Sequence, residues 1–249
     1  MSAGTVLITG ASRGIGAACA NLFASHGWNV CINYVSNEQA AKEVAQAVRG
    51  QGVNALTVQA DVSLEDDVMR LFETMDNELG TLTSLVNNAG ILLPQSRLLG
   101  ISAERLNKLM ATNVTSCFLC SREAVRRMSS KEGGAGGSIV NVSSIAATLG
   151  APNEYTDYAA SKGAMDTFTR GLALEVADEG IRVNAVRPGI IETTIHADGG
   201  EPGRPQRLAP MIPMKRSGKP AEVAEAIYWL ASDKSSYVTG TFIDITGGR

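Results

Sequence analysis

The chain has 249 residues, with 22 Lys and Arg against 25 Asp and Glu, a net charge of −3 and 44% hydrophobic residues. That length suits one large α/β domain, and the mildly acidic balance gives no electrostatic ground for binding nucleic acid. No apolar run reaches the length that spans a bilayer, and strand-forming residues begin within the first few positions, so the expectation is a cytoplasmic protein with no membrane partner and no leader.

Val6-Leu7-Ile8 reads as a short buried parallel strand, and from Ala17 to Ala24 the pattern turns helical, with Ile15, Cys19, Leu22 and Phe23 on one face. Between them lies Thr9-Gly10-Ala11-Ser12-Arg13-Gly14-Ile15-Gly16. A glycine-rich turn that joins a strand to a helix start suits a pyrophosphate, because free N–H groups and the helix dipole face the anion. Gly10 permits the tight turn, Gly14 lets a ligand approach the backbone, and Gly16 lets the helix lie close to the strand. A purely structural turn is the competing reading of this motif taken alone.

The second strand, Val30-Cys31-Ile32, ends at Asn33-Tyr34-Val35-Ser36 with no Asp or Glu before Glu38. A carboxylate about 20 residues past the glycines normally holds the ribose hydroxyls of NAD. Its absence removes the repulsion a 2′-phosphate would meet, and Arg13 offers that phosphate a planar donor fork. Both point to NADP, with NAD as the alternative cofactor. A solvated loop cation is the plainer reading of Arg13.

Further along, Glu38 to Arg49 reads as a helix, Ala55 to Gln59 as a strand, and Leu64 to Leu79 as a helix capped by Ser63. Leu82 to Val86 is the fourth strand, and Ser102 opens one long helix to about Met128. The glycine-rich stretch 131–137 is a surface loop. The fifth strand, Ser138 to Val142, precedes Ser144, and Tyr158 to Ala177 reads as a helix. Ile181 to Val186 is the sixth strand, Pro220 to Leu230 a helix with Pro in its first turn, and Thr241 to Ile245 the seventh strand. Alternating elements with right-handed crossovers predict a doubly wound, seven-stranded parallel sheet with helices on both faces, in a single domain over residues 1–249. Residues 190–213 lack periodicity and read as a lid over the substrate.

Tyr158 and Lys162 stand four residues apart on one helix face, about 6 Å along its axis. A free tyrosine with a pKa near 10 is a poor base at neutral pH. A nearby ammonium is expected to lower that pKa, so that the tyrosine can exchange a proton with a substrate oxygen, steadied by the Ser144 hydroxyl. Cys117-x2-Cys120 has metal-like spacing but sits within a helix without a second pair, so buried thiols are the better reading and no metal is expected. His196 admits a pocket role or a place on the lid surface.

Taken together and in this order, these motifs resemble the short-chain dehydrogenase/reductase family over essentially the whole chain, in particular bacterial 3-oxoacyl-thioester reductases and glucose 1-dehydrogenases. The resemblance implies cofactor contacts from Gly10, Ser12, Arg13, Gly14, Ile15, Gly16, Asn33, Tyr34, Asp61, Val62, Asn88, Ala89, Gly90, Tyr158, Lys162, Pro188, Gly189, Ile191 and Thr193. It implies catalysis by Asn113, Ser144, Tyr158 and Lys162, with Asn113 holding a water of the proton relay. It also implies a homotetramer built on the helices 102–128 and 158–177. Ser144 precedes Tyr158 by 14 residues, one more than is common in the family, which places an extra residue in the loop 149–157. Tyr155 lacks a lysine four residues on and is read as a pocket-lining residue. The implied activity is hydride transfer between a nicotinamide and a small carbonyl or secondary alcohol. The rival reading is a non-catalytic nicotinamide sensor.

Overall fold

A computed structural model describes residues 3–249. Its seven strands are β1 (Gly4–Ile8), β2 (Trp28–Tyr34), β3 (Ala55–Gln59), β4 (Ser84–Asn87), β5 (Gly137–Val142), β6 (Ile181–Pro188) and β7 (Phe242–Ile245). They form one sheet in the order β3-β2-β1-β4-β5-β6-β7. Every pair is parallel. The order reverses between β1 and β4, which opens a crevice at the carboxyl ends of the strands, where this architecture takes its ligands.

Both sheet faces are covered, and the alternation of side chains along each strand divides them. Val6 and Ile8 of β1 join Val30 and Ile32 of β2 in one core with Phe23, Ile227 and Leu230. Leu7 and Cys31 point the other way, into a core with Leu71, Phe72, Met75, Cys120 and Ala124. The first core seats the helices α1 (Gly14–Ser25), α2 (Glu38–Arg49) and α10 (Pro220–Ala231). The second seats α3 (Glu65–Leu79), α5 (Ser116–Met128) and α7 (Thr156–Glu175). Phe72 is fully buried, so truncating it to Ala is worth about 3–5 kcal/mol in lost packing.

Three expectations change in detail. Ser63 does not cap α3: Leu64 stands at that position, and the Ser63 hydroxyl donates instead to Asp61 Oδ1 at 2.7 Å. A closer acceptor on its own turn wins over the helix start. The long helix from Ser102 is interrupted: α4 (Ala103–Met110) passes through a wide π turn, Ala111–Thr115, into α5. Such turns widen the helix locally and often mark functional positions, and this one carries Asn113. The segment 190–213 contains two short helices, α8 (Ile195–Asp198) and α9 (Arg204–Leu208).

Between β5 and α7 the chain makes one turn of helix, α6 (Ala146–Leu149), and then passes through left-handed conformations at Gly150, Ala151 and Asn153. These fall in the loop where the unusual Ser144-to-Tyr158 spacing predicts the added residue.

Candidate active site

The glycine turn has the backbone its residues permit. Gly10 and Gly14 take left-handed φ values of 62° and 58°. A Cβ on Gly16 would stand 2.6 Å from Asn88 Nδ2 and 2.8 Å from Ala11 Cα, so only glycine lets α1 approach the strand ends. The start of α1 has no side-chain cap and no acidic residue in its first turn. Its first N–H groups thus lack side-chain acceptors and, with the half-buried Ser12 and Ile15 beside them, leave a positive helix end fitted to an anion. That fit is the structural ground for placing a dinucleotide's pyrophosphate here.

Thr9, which opens the glycine motif without a role of its own in the sequence reading, fastens this turn across the switch point. Its hydroxyl accepts from the N–H groups of Asn88 (3.0 Å) and Ala89 (2.9 Å), while the Asn88 amide donates to the carbonyls of Thr9 (2.9 Å) and Gly10 (3.1 Å). The only signal for it was a threonine directly after a buried strand.

Asn33 is buried and commits its side chain to backbone. Its Oδ1 accepts from the Gly10 N–H at 3.1 Å and its Nδ2 donates to the Ala60 carbonyl at 2.9 Å. It therefore ties the glycine turn to the ends of β2 and β3, beside the buried Tyr34 and Val62. The Asp61 carboxylate accepts from the Ser63 N–H (3.0 Å) as well as its hydroxyl, and the Asp61 N–H donates to Asp67 (2.7 Å).

Arg13 is not free. Its guanidinium donates to Thr194 Oγ1 at 2.8 Å and to Asp198 Oδ2 at 2.5 Å, with both ion-pair partners about half exposed. The partners lie more than 180 residues away in sequence, in and just before α8. Thr193 also touches the turn: its Cγ2 lies 3.4 Å from where a Cβ on Gly14 would be. Motifs far apart in the chain thus meet at one place. Pro188 and Ile191 are buried, and a Cβ on Gly189 would stand 2.9 Å from Thr246 Cα.

At the catalytic end, Lys162 is buried and its Nζ donates to the Val142 carbonyl at 2.8 Å. Asn113, fully buried on the π turn, accepts from the Ile91 N–H at 2.8 Å and donates to the Ile91 carbonyl and to Ser161 Oγ, both at 3.1 Å. Gly90 lies between the two: a Cβ there would meet Asn113 Oδ1 at 3.4 Å and Lys162 Nζ at 3.5 Å. Ser144 is half-buried and its hydroxyl reaches Tyr158. The structure therefore brings Asn113, Ser144, Tyr158 and Lys162 together where β4 and β5 end.

The proton chemistry differs from the sequence expectation. Burial pushes the Tyr158 phenol up to about 12, against a smaller downward pull from the Ser144 hydrogen bond. Burial also lowers Lys162 to about 8, opposed by the charges of Cys117 and Asp166. Lys162 Nζ lies 5.6 Å from the Tyr158 ring centroid and is turned to a backbone carbonyl. The lysine thus does not bring the phenol below its ordinary value: the same low-polarity surroundings disfavour both charged forms. With protein groups alone, Tyr158 holds its proton at neutral pH.

A buried polar network behind the site was not legible in the sequence. Asn87 donates to Asn141 (2.9 Å) and Ser121 (3.0 Å), and Asn141 donates to Thr169 (2.8 Å). Cys117 Sγ lies 3.4 Å from Asn141 Oδ1, and burial pushes its thiol up to about 12; Cys120 is buried and also raised. These thiols are packing groups.

Tyr155 packs against the segment 190–213, and His196 belongs to that segment. Tyr155 is buried, its hydroxyl donates to the Gly199 carbonyl at 3.3 Å, and Arg204 stacks over its ring at 4.9 Å. Arg204 is itself buried and pairs with Glu154 (2.5 Å) and Glu201 (3.2 Å). His196 is buried rather than on the lid surface, with Nε2 2.9 Å from the Ile191 carbonyl. Burial lowers its pKa, so the ring is held neutral at pH 7.

Comparison with known proteins bears on the fold and the family. The family model described as enoyl-(acyl carrier protein) reductase matches residues 10–249. The chain is 56% identical to an uncharacterized oxidoreductase, YgfF, of Escherichia coli, with 98% of each chain covered. It is 40% identical to 3beta-hydroxysteroid dehydrogenase 1 of Eggerthella lenta, covering 98% of this chain and 92% of that one. Among solved structures, the 3-ketoacyl-(acyl-carrier-protein) reductase of Brucella melitensis complexed with NADH superposes with a TM-score of 0.91 at 33% identity, covering 100% and 98% of the two chains. The chain therefore belongs to the short-chain dehydrogenase/reductase family, oxidoreductases that act on hydroxyl and carbonyl groups with nicotinamide cofactors.

Proposed function

We propose that this protein is an NADP-dependent oxidoreductase that reduces a small carbonyl compound to a secondary alcohol, or runs that reaction in reverse, at Asn113, Ser144, Tyr158 and Lys162. Residues 1–249 act as one domain, with 190–213 as the lid. The observation that carries the reading is the convergence of Ser144, Tyr158, Lys162 and Asn113 at the strand ends that also carry the glycine turn. A protein that only bound the dinucleotide would not need Asn113 and Ser144 beside Tyr158 and Lys162.

When bound, the nicotinamide supplies or accepts the hydride. The chain's own groups hold the cofactor and move the proton. The glycine turn and the start of α1 receive the pyrophosphate, and Asp61, Val62, Asn88, Ala89 and Gly90 line the adenosine side. Asn33 and Tyr34 shape the second-strand end, while Pro188, Gly189, Ile191 and Thr193 flank the nicotinamide. Ser144 donates a hydrogen bond to the substrate oxygen. Tyr158, protonated at neutral pH, gives its proton to the alkoxide as that charge develops, which favours reduction. Lys162, cationic below about pH 8, stabilises the phenolate left behind. Asn113 is placed to hold the water that returns a proton.

NADP is favoured over NAD because no carboxylate stands at the end of β2 and Arg13 lies in the glycine turn. Arg13 must then leave or share Asp198 to reach a 2′-phosphate. A homotetramer is the proposed assembly. Leu106 and Phe118 are exposed on α4 and α5, and Phe118 stacks on Phe168 of α7 at 3.8 Å, so an apolar face awaits a partner. Met165 is not part of that face, since its own chain buries it. Light scattering should give a mass near four times 26.1 kDa, and a monomer at micromolar concentration would remove the proposal. Among the described residues no helix is long and apolar enough to cross a membrane; a cytoplasmic location is part of the proposed reading.

The test is a panel of ketones, aldehydes, hydroxysteroids and 3-oxoacyl thioesters, each incubated with NADPH or NADH while nicotinamide oxidation or reduction is followed. Turnover of a panel member, faster with the phosphorylated cofactor, is expected. Tight NADPH binding without turnover of any member would favour the sensor reading.

A further inference from the structure

Below the four reacting groups, one turn further along α7 from Lys162, lies a carboxylate that they do not use. Asp166 is buried and its two oxygens have different partners. Oδ1 lies 2.6 Å from the Ser143 hydroxyl, and Oδ2 receives Arg187 Nε at 2.9 Å and a second guanidinium nitrogen at 2.8 Å. Ser143 is the residue immediately before Ser144. Arg187 immediately precedes Pro188 and Gly189, and its guanidinium also stacks over Phe242 of β7 at 4.1 Å.

The Ser143 hydroxyl has one proton and two acceptors within reach, Asp166 Oδ1 and the Lys162 carbonyl at 3.3 Å. The shorter contact takes the proton. One carboxylate therefore fastens three elements at the same level. These are the end of β5 that carries Ser144, the turn of α7 that carries Lys162, and the end of β6 that leads into the segment flanking the nicotinamide. The ends of β5 and β6 are also joined by backbone, Ser143 N–H to the Val186 carbonyl at 2.9 Å and Ile145 N–H to the Pro188 carbonyl at 3.0 Å, so what the carboxylate adds is the tie from α7 to both. The ion pair is nearly enclosed, with Asp166 11% and Arg187 13% exposed. An uncompensated charge at that depth is costly, so the pair holds only if both partners keep their positions.

We propose that Asp166 is a positioning residue for the reaction: through Ser143 and Arg187 it ties the Lys162 turn of α7 to the strand ends that carry Ser144 and the nicotinamide segment, and it sets a negative charge one helical turn from Lys162. The proposal rests on the reading of Ser144, Tyr158 and Lys162 as the reacting groups. The charged and titratable groups facing Lys162 are Tyr158 and Asp166 from α7 and Cys117 from α5. β5 contributes only the Val142 carbonyl. The Asp166 charge opposes the lowering of Lys162 by burial. The thiol is protonated at neutral pH, so Asp166 is the one anion acting on the lysine there.

The test needs no substrate. Lys162 is one of seven lysines, so its side-chain signal in protein labelled with carbon-13 at lysine Cε can be identified by its loss in Lys162→Met and titrated by NMR. Asp166→Asn keeps the shape and an acceptor for Ser143 but removes the charge. The double variant Asp166→Asn/Arg187→Gln leaves no unpaired charge inside and serves if the single variant does not fold. Asp166→Asn should lower the Lys162 titration midpoint by about half a pH unit or more, and the double variant should lower it by less, whereas Arg187→Gln alone should not lower it. With any carbonyl the wild type reduces, the basic limb of the rate profile should move down with that midpoint in Asp166→Asn. A purely structural role would reduce melting temperature and rate but leave both midpoints unmoved, and that result would overturn the proposal. Absence of turnover on every carbonyl would count against the proposed activity, while the lysine titration would still decide the role of Asp166.

Discussion

The two ends of the site are held by different physics. At the catalytic end Asn113 and Lys162 are almost wholly buried, and their partners are backbone carbonyls, a backbone N–H and another buried hydroxyl. At the phosphate end Arg13 is held by an ion pair with Asp198 that is half exposed on both sides. Buried hydrogen bonds of the first kind cannot exchange for water and are costly to leave unmade. Exposed pairs of the second kind are worth about 0–1 kcal/mol and weaken with salt. The difference teaches where the protein is set and where it adjusts. The proposed proton machinery is fixed by packing, whereas the residue that would read the cofactor's phosphate sits in a contact weak enough to be exchanged.

The sharpest way to break this comparison is to strike the fixed end. Tyr158→Phe retains the ring and should leave the affinity for NADPH nearly unchanged, because the glycine turn and adenosine side are untouched. Turnover should fall by roughly 10²–10⁴-fold, the usual cost of lost general acid catalysis. Tyr155→Phe loses only a 3.3 Å bond to the Gly199 carbonyl and should be mild. Steady-state kinetics and cofactor titration of both variants decide it. If Tyr155→Phe abolished turnover and Tyr158→Phe did not, the assignment of the acid would be wrong.

Arg13→Ala probes the adjustable end. A charge-assisted contact to phosphate contributes about 1.5–3 kcal/mol, so NADPH should bind on the order of 10- to 100-fold more weakly while NADH changes little. Equal losses for both cofactors, measured by calorimetry, would remove Arg13 as the phosphate reader. Asp198→Asn should act in the opposite direction and less strongly. It frees Arg13 from its competitor, so NADPH binding should tighten by no more than about fivefold at low salt, with the gain fading as salt rises. Weaker NADPH binding in that variant would mean that the pair assists the phosphate site instead of competing with it.

The smallest effect concerns pH. Folding lowers Lys162 from 10.5 to about 8, so between those values the unfolded chain holds the extra proton and stability should rise with pH. The Tyr158 phenol, raised from 10.0, works the other way only above about pH 10. The four buried thiols, raised from 9.0, work the other way from about pH 9, so the prediction is the difference: from pH 8 to 10 the urea midpoint of Lys162→Met should fall relative to that of wild type. Parallel curves would show that the lysine is not desolvated as the structure has it. In the same range the rate of carbonyl reduction should decline above about pH 8, as Lys162 discharges.

Much of this architecture is legible in the sequence because it is periodic or local. Val6, Leu7 and Ile8 are apolar without alternation because both faces of β1 are covered, and that pattern alone marks a parallel strand. The glycine turn is read from three residues that no other type replaces, and the Tyr158–Lys162 pair from helical spacing. What escaped depends on distant partners. Ser63 satisfies the spacing rule for a cap, yet a carboxylate two residues back takes its hydroxyl. The π turn at Ala111–Thr115 lies inside a stretch that reads as one helix, and no Gly or Pro there announces it. The Arg13–Asp198 and Asp166–Arg187 pairs join residues whose proximity only the folded sheet creates. The raised pKa of Tyr158 is likewise a property of its enclosure, not of its spacing from Lys162.

The most direct test of the central claim follows the hydride itself. NADPH carrying deuterium at the transferable C4 position is incubated with a carbonyl from the panel, and the alcohol formed is analysed by mass spectrometry and NMR. The account predicts deuterium on the former carbonyl carbon, a solvent proton on its oxygen, and loss of product in Tyr158→Phe despite retained cofactor binding. Product formed without deuterium on that carbon, or formed equally well by Tyr158→Phe, would contradict it.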